Sequence, residues 1–294
     1  MIDKGSNVGL IGVGLMGHGI ARNVLGRGEF PLRFMEHPGN QPVDEILTLG
    51  GITCASAAEV AAASDVVILC VTGAPQVEAV ISGPGGVLEG LQHGSVVVDC
   101  STSLPNTSVK MAAAVKATGG EFIDAPMTKL AKQAHEGTLN LLAGGDAATL
   151  ERVRPVLDSF SERIDHVGGV GDGHRMKLLH NFVSIGSMTL IAEAAAHATD
   201  AGIDPAVFVE VLASGGGHGV ALERISPFIT DQDASSVPFT ISNALKDLTY
   251  YGEMAESAGA NRVVSESVKT ALGQALPDGD VDSFVPELVR LFRT

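Results

Sequence analysis

The chain has 294 residues, 45% of them hydrophobic, which is enough for a sizeable core and two domains. A formal net charge of −15 and a pI near 4.9 argue against nucleic acid and anionic membranes as partners, and suit an ordinary cytoplasmic surface. Cys54, Cys70 and Cys100 form no CxxC pair, and the nine histidines show no HExxH or paired spacing. Disulfides and a metal site are therefore not expected, and a reducing compartment is.

The first element is read from Asn7 to Leu25. A short apolar run, Val8–Ile11, enters Gly12-Val13-Gly14-Leu15-Met16-Gly17, and a helical pattern follows. Strand, glycine turn and helix in that order suit a dinucleotide pyrophosphate. Gly12 allows a tight turn, Gly14 lets backbone approach the phosphates, and Gly17 lets the helix pack closely on the strand. The helix start at Leu15 and Met16 offers N–H groups and a positive dipole end to the anion. Any glycine-rich turn can match this spacing, so the flanking strand and helix carry the argument. A second run, Leu32–Met35, ends at Glu36, roughly 20 residues past the fingerprint, where a carboxylate binds free ribose hydroxyls and repels a 2′-phosphate. His37 follows rather than an arginine. NAD is favoured over NADP.

Further apolar runs at Val66–Val71, Val96–Asp99 and Phe122–Asp124, with helical stretches between, indicate a parallel, doubly wound sheet. Thr138–Ala143 and Arg163–His166 extend it. Ligands of such sheets sit beyond the carboxyl ends of the strands, so the segments after the runs are candidates. These are Val71-Thr72-Gly73, then Asp99-Cys100-Ser101-Thr102-Ser103, then Asp124 through Thr128 and Lys129. Loop hydroxyls also commonly satisfy turns, and either role fits Ser101, Thr102 and Thr128.

After the glycine cluster 168–173 only helical periodicity remains. A boundary near 167 gives a Rossmann-type α/β domain over 1–167 and an all-α domain over 168–294, joined by a long helix. That helix, near 174–199, is the most apolar, yet it contains Lys177, His180, Asn181 and Glu193. A buried helix is expected rather than a membrane span. Residues 1–7 lack the layout of a signal peptide. Lys177 and Asn181 lie four apart on one helix face. Among apolar neighbours the lysine is either a snorkelling surface residue or an ammonium in a desolvated site, where it can trade a proton.

Taken together these segments resemble the β-hydroxyacid dehydrogenase family, which includes 3-hydroxyisobutyrate dehydrogenases and tartronate semialdehyde reductases. The likeness rests on GVGLMGHGIARN near the start, DCSTS at 99–103, DAPMTK at 124–129, GTLNLLAGGD at 137–146, GVGDGHRMKLLHN at 169–181 and FTISNALKDL at 239–248. The resemblance implies that Lys177 is the catalytic lysine and Asn181 a substrate-side residue. It also implies that Thr102 and Lys246 contact the cofactor, and that Thr128 and Lys129 contact the substrate's anionic group. Two departures stand out. Val71-Thr72 replaces a usual Leu-Pro, and Met127-Thr128-Lys129-Leu130 replaces the end of DAPVSGG. The latter is similar to the substrate loop of sulfolactaldehyde reductases, which carries a basic residue near position 129.

The expected activity is NAD-dependent interconversion of a small anionic 3-hydroxy acid, or a related hydroxy-sulfonate, with its semialdehyde. The expected assembly is a homodimer or homotetramer formed through apolar helices after residue 174. A non-catalytic NAD-binding regulator and an imine reductase on the same fold are the alternatives.

Overall fold

A computed structural model describes residues 2–276 and 282–293. The chain forms two compact units, Met1–Lys177 and Leu178–Thr294.

The first unit is built on nine strands: β1 (Val8–Ile11), β2 (Leu32–Met35), β3 (Ile52–Cys54), β4 (Val66–Leu69), β5 (Val96–Asp99), β6 (Glu121–Asp124), β7 (Met127–Thr128), β8 (Leu139–Gly144) and β9 (Ser161–Gly168). Its helices are α1 (Leu15–Gly26), α2 (Asp44–Thr48), α3 (Ala57–Ala62), α4 (Ala74–Ser82), α5 (Val87–Gly90), α6 (Pro105–Ala117), α7 (Ala131–Glu136) and α8 (Ala147–Leu157). Strands β1 to β6 are parallel in the order 3-2-1-4-5-6, so the order reverses between β1 and β4. Open α/β sheets bind ligands beyond such a reversal.

Alternate residues face opposite sides of the sheet, and both sides are covered. Leu10, Phe34, Ile68 and Val98 pack into one core layer, and Ile11, Val67, Leu69 and Val97 into the other. That two-sided burial is why these strands read as continuous apolar runs. Strand β3 escapes such a reading because its residues are exposed or half-buried at the sheet edge. The sheet is also mixed rather than wholly parallel. Strand β6 stops before Ala125-Pro126, and β8 runs antiparallel to β6 and to the two-residue β7, while β9 pairs with β8 in parallel.

The second unit is helical: the rest of α9 (Asp172–Asp200), then α10 (Pro205–Ala213), α11 (Val220–Asp231), α12 (Ile241–Ser257), α13 (Val263–Ala275) and α14 (Leu288–Leu291). Ile185, Met188, Ala192, Leu222, Ile225, Ile241, Leu248, Leu272 and Leu288 form its core, and the rings of Phe182 and Tyr251 stack at 4.4 Å. By length and composition alone α9 could cross a membrane. It is amphiphilic in detail: Asn181 is buried and hydrogen-bonded, as befits a core helix, yet Met176, Leu179, Val183 and Leu190 are exposed. The expectation of a fully buried helix is thus met on one face only.

Candidate functional site

The glycine turn after β1 has the shape its spacing suggests. Gly12 is left-handed, at φ +99°, and a Cβ there would fall 2.2 Å from the Cys70 carbonyl oxygen. A Cβ at Gly17 would fall 1.9 Å from the Gly12 oxygen, so α1 can lie on the turn only with glycine at that place. Gly14 differs: no atom lies within 4 Å of where its Cβ would be. The turn therefore presents open space in front of a helix N-terminus whose first turn carries no acidic side chain. This fits a pyrophosphate, for which the N–H groups at the start of α1 would serve as donors. Leu15 is exposed and Met16 half-buried at this end.

The loop after β2 braces the turn. Asn40 donates to the Met35 oxygen (3.1 Å) and accepts from the Val13 N–H (3.3 Å), while the Gln41 N–H donates to the Val13 oxygen (2.8 Å). Glu36 follows β2 directly and is exposed, with its backbone N–H on the Cys54 oxygen.

The loops after β4 and β5 are joined. The Ser101 hydroxyl accepts the Val71 N–H at 3.0 Å, and the Ser101 N–H donates to Asp99 Oδ1 at 3.0 Å. Ser101 is buried, and its hydroxyl ties the two loops. Thr72 is exposed, and Thr102, next to Ser101 in the chain, is half-buried.

Asp99 and Asp124 end neighbouring strands in register, and both are fully buried. Asp124 caps the start of α9: Oδ1 accepts from the Gly171 N–H (2.7 Å) and Oδ2 from the His174 N–H (2.8 Å). Burial pushes the Asp124 carboxyl up, against the downward pull of His174 and of those two N–H groups. Lys177 follows on α9, half-buried, at the edge of this unit.

Thr128 lies buried in β7, paired with Asn140 of β8. Lys129 adopts φ +76°, the left-handed form that glycine takes without strain. Its ammonium is not a bare cation. It donates to the Thr138 oxygen (2.7 Å) and pairs with Glu162 (2.5 Å), with a quarter of the side chain exposed. The next residue, Leu130, gives its N–H to the Gln133 side chain. Helix α7 then docks on α1. Asn23 donates to the Gly19, Ala134 and His135 oxygens, Arg22 to His135, and Arg27 to Gly137. The fingerprint helix thus grips the last carbonyls of the helix that follows Lys129.

In the second unit, Asp247 fixes the orientation of Asn181. A carboxylate only accepts, so the Asn181 Nδ2 faces Asp247 Oδ2 at 2.6 Å. The Asn181 oxygen then faces His180 Nδ1 at 3.0 Å, and that nitrogen carries the proton. Lys246 lies 3.3 Å from Asp247 Oδ1 and 5.7 Å from the centre of the Tyr250 ring. Among the described residues, no three His, Cys, Asp or Glu side chains are placed to hold a metal.

Comparison with known proteins decides the family. A model described as the NAD binding domain of 6-phosphogluconate dehydrogenase matches residues 7–168, more than half the chain. A second, described as NAD-binding of NADP-dependent 3-hydroxyisobutyrate dehydrogenase, matches 171–292. The chain belongs to the β-hydroxyacid dehydrogenase family. It is 33% identical to 2-(hydroxymethyl)glutarate dehydrogenase of Eubacterium barkeri, over 79% of this chain and 77% of that one. It is 34% identical to 3-sulfolactaldehyde reductase of Escherichia coli, over 72% and 71%. Among solved structures, the 3-hydroxyisobutyrate dehydrogenase of Mycobacterium tuberculosis superposes with a TM-score of 0.88 at 24% identity, covering 99% of this chain and 100% of that one. At that identity the likeness is one of fold. Membership of a family with two nicotinamide-dinucleotide models makes such a dinucleotide this dehydrogenase-family chain's cofactor class.

Sequence reading alone did not find Asn40, Asn23, His174 or Asp247. Asp247, Asn23 and His174 stand inside motifs that the family resemblance rests on, but nothing in their spacing reports their partners: Asn23 reaches the Ala134 oxygen, His174 the Ser101 oxygen and the Ser108 hydroxyl, and Asn40 the Val13 N–H.

Proposed function

We propose that this chain is an NAD-dependent oxidoreductase that interconverts a small anionic 3-hydroxy acid, or a hydroxy-sulfonate, with its semialdehyde. The observation that carries the cofactor half is the open space at Gly14, set between two glycines that admit no side chain. When bound, the nicotinamide supplies or accepts the hydride. Gly12 to Gly17 hold the pyrophosphate and Glu36 the adenosine ribose. Val71, Thr72, Thr102 and Lys246 line the rest of the cofactor site. In oxidation Lys177 takes the hydroxyl proton; in reduction its ammonium polarises the carbonyl and returns that proton. Asn181, held rigid by Asp247, orients the substrate. Ser101, Thr128 and Lys129 supply the segments that receive the substrate's anionic group. The names of the relatives, acting on hydroxy acids and on a sulfonated aldehyde, support this substrate class.

The domain division proposed is 1–167 for cofactor and 168–294 for substrate and assembly. A homodimer or homotetramer is proposed from the exposed apolar stripe Met176, Leu179, Val183, Leu190 on α9, which is self-complementary in spacing. Soluble, cytoplasmic operation accompanies this reading. Purified protein assayed with NAD against hydroxy acids, and with NADH against semialdehydes, tests the function. Absence of turnover across both panels, with NADH still bound, would favour the non-catalytic regulator. Light scattering that found monomer alone at micromolar concentration would remove the oligomer.

A further inference from the structure

His174 is fully buried in the first unit, yet every polar atom of its ring is engaged. Nε2 lies 3.0 Å from the Ser101 carbonyl oxygen. A carbonyl only accepts, so Nε2 carries a proton. Nδ1 lies 2.7 Å from the Ser108 hydroxyl on α6. Two buried carboxylates flank the ring, Asp124 Oδ2 at 3.5 Å from Nδ1 and Asp99 Oδ2 at 3.9 Å from Nε2. The His174 backbone N–H completes the ring of contacts by donating to Asp124.

Besides α6, these contacts join three segments: the loop after β5, the end of β6 and the first turn of α9. Each leads directly to a candidate residue, respectively Thr102, Thr128 and Lys177. Lys177 stands three residues after His174, on the same side of the helix. A residue needed only to fill this space could be apolar. Burying an imidazole is tolerated only when its hydrogen bonds are met, and a buried network so met fixes one arrangement.

We infer that His174 is a positioning residue for the reaction proposed above: its ring fastens the 100–103 loop to the first turn of α9, so that Lys177 and Thr102 are set in one frame. The inference rests on the reading of Lys177 as the proton carrier. Misplacement of a catalytic group by about 1 Å can cost on the order of 100-fold in rate, so a loosened clamp shows in turnover before it shows in folding.

The test compares His174→Leu with His174→Gln in the full-length protein. Glutamine keeps an N–H for Ser101 and an oxygen for the Ser108 hydroxyl. The leucine variant should lose about 10- to 100-fold in kcat. Its Kd for NADH, followed by fluorescence, should rise by less than about tenfold and by less than kcat falls, because the clamp sets Thr102 while the glycine turn belongs to other elements. Glutamine should restore kcat to within about threefold of wild type. Amide hydrogen exchange gives a readout independent of turnover: in the leucine variant, residues 100–104 and 172–178 should exchange at least about tenfold faster, with β1 and β4 unchanged.

Wild-type kcat and exchange in the leucine variant would overturn the inference. So would a glutamine variant as impaired as leucine, or exchange accelerated throughout the first unit, which would make His174 a general stability residue. If wild type turned over no substrate, the proposed function would fall, and exchange alone would still decide whether the clamp exists.

Discussion

Two alanine substitutions three residues apart in the glycine turn should fail in opposite ways. At Gly17 the new Cβ would lie 1.9 Å from the Gly12 oxygen and 3.0 Å from the Gly12 carbonyl carbon, and both are backbone atoms that cannot swing aside. Overpacking of this kind costs about 1–3 kcal/mol, against a gain of about 0.4–1 kcal/mol from reduced chain entropy. At Gly14 the Cβ meets nothing within 4 Å, and the backbone angle, φ −77°, suits alanine. Loss of a good helix cap costs about 0.5–1 kcal/mol and the entropy gain is of similar size, so the two roughly cancel. Thermal melting without ligand should therefore lower Tm by a few degrees for Gly17→Ala, at roughly 2–4 °C per kcal/mol, and leave Gly14→Ala near wild type.

Ligand binding reverses the order of interest. In the proposed site the pyrophosphate comes closest at the open space of Gly14, so the stable Gly14→Ala protein should bind NADH about tenfold or more weakly, the effect of about 1.4 kcal/mol of crowding. Fluorescence titration with NADH measures this directly. If Gly14→Ala bound NADH with the wild-type Kd, the pyrophosphate would not lie over this turn. If it melted as early as Gly17→Ala, the open space itself would be in error.

Further outcomes are expected for four sets of residues. Lys177→Ala should bind NADH normally and lose at least about 100-fold in kcat, as general acid–base groups do; undiminished turnover on an identified substrate would refute the proton role. Glu36→Ser combined with His37→Arg should move the ratio of kcat/KM towards NADP, and a wild-type enzyme that already prefers NADP would contradict the carboxylate argument. Burial pushes the Cys70 thiol up to about 12, the Cys100 thiol well above its ordinary value and the Cys54 thiol up as well, so Ellman's reagent at pH 8 should react with Cys54 first, with half-buried Cys70 more slowly, and with buried Cys100 only on unfolding. Lys129→Gly should raise KM for an anionic substrate but not for its uncharged ester, by less than the roughly 10- to 100-fold of a free charge-assisted bond, because Glu162 already competes for the ammonium. Glu162→Gln should lower that KM; equal effects on acid and ester would confine Lys129 to a structural pair.

The fold was legible wherever burial was two-sided. Val66 to Leu69 and Val96 to Asp99 are fully buried strands with no polar residue before their ends, and such runs have one reading. Ile52–Cys54 has half-exposed edge residues, and Met127–Thr128 is two residues behind a proline, so neither carries a period to detect. The reversal of β8 was hidden for a different reason. An apolar run states that a strand is buried but not which way it runs. Direction here follows from the break at Ala125-Pro126, after which β7 and β8 pair antiparallel.

Lys129 shows where a sequence pattern stops being enough for the site. Against relatives with glycine, a lysine suggests a cation added to receive an anion. The structure separates the two properties that one substitution changed. The backbone keeps the left-handed φ that glycine would supply, so the loop's path survives the loss of glycine, while the ammonium turns to Glu162 on β9 and the Thr138 oxygen. Ser101 teaches the same lesson with a neutral group, since its hydroxyl holds the Val71 N–H. In both, the side chain names the kind of bond it can make and not the partner, because Glu162 and Val71 lie 33 and 30 residues away. Residue type limits what a site can do. Whether a group is available to a ligand depends on what the folded chain already asks of it, and at position 129 Glu162 and the Thr138 oxygen already hold the ammonium, so any anion it were to receive would compete with a partner in place.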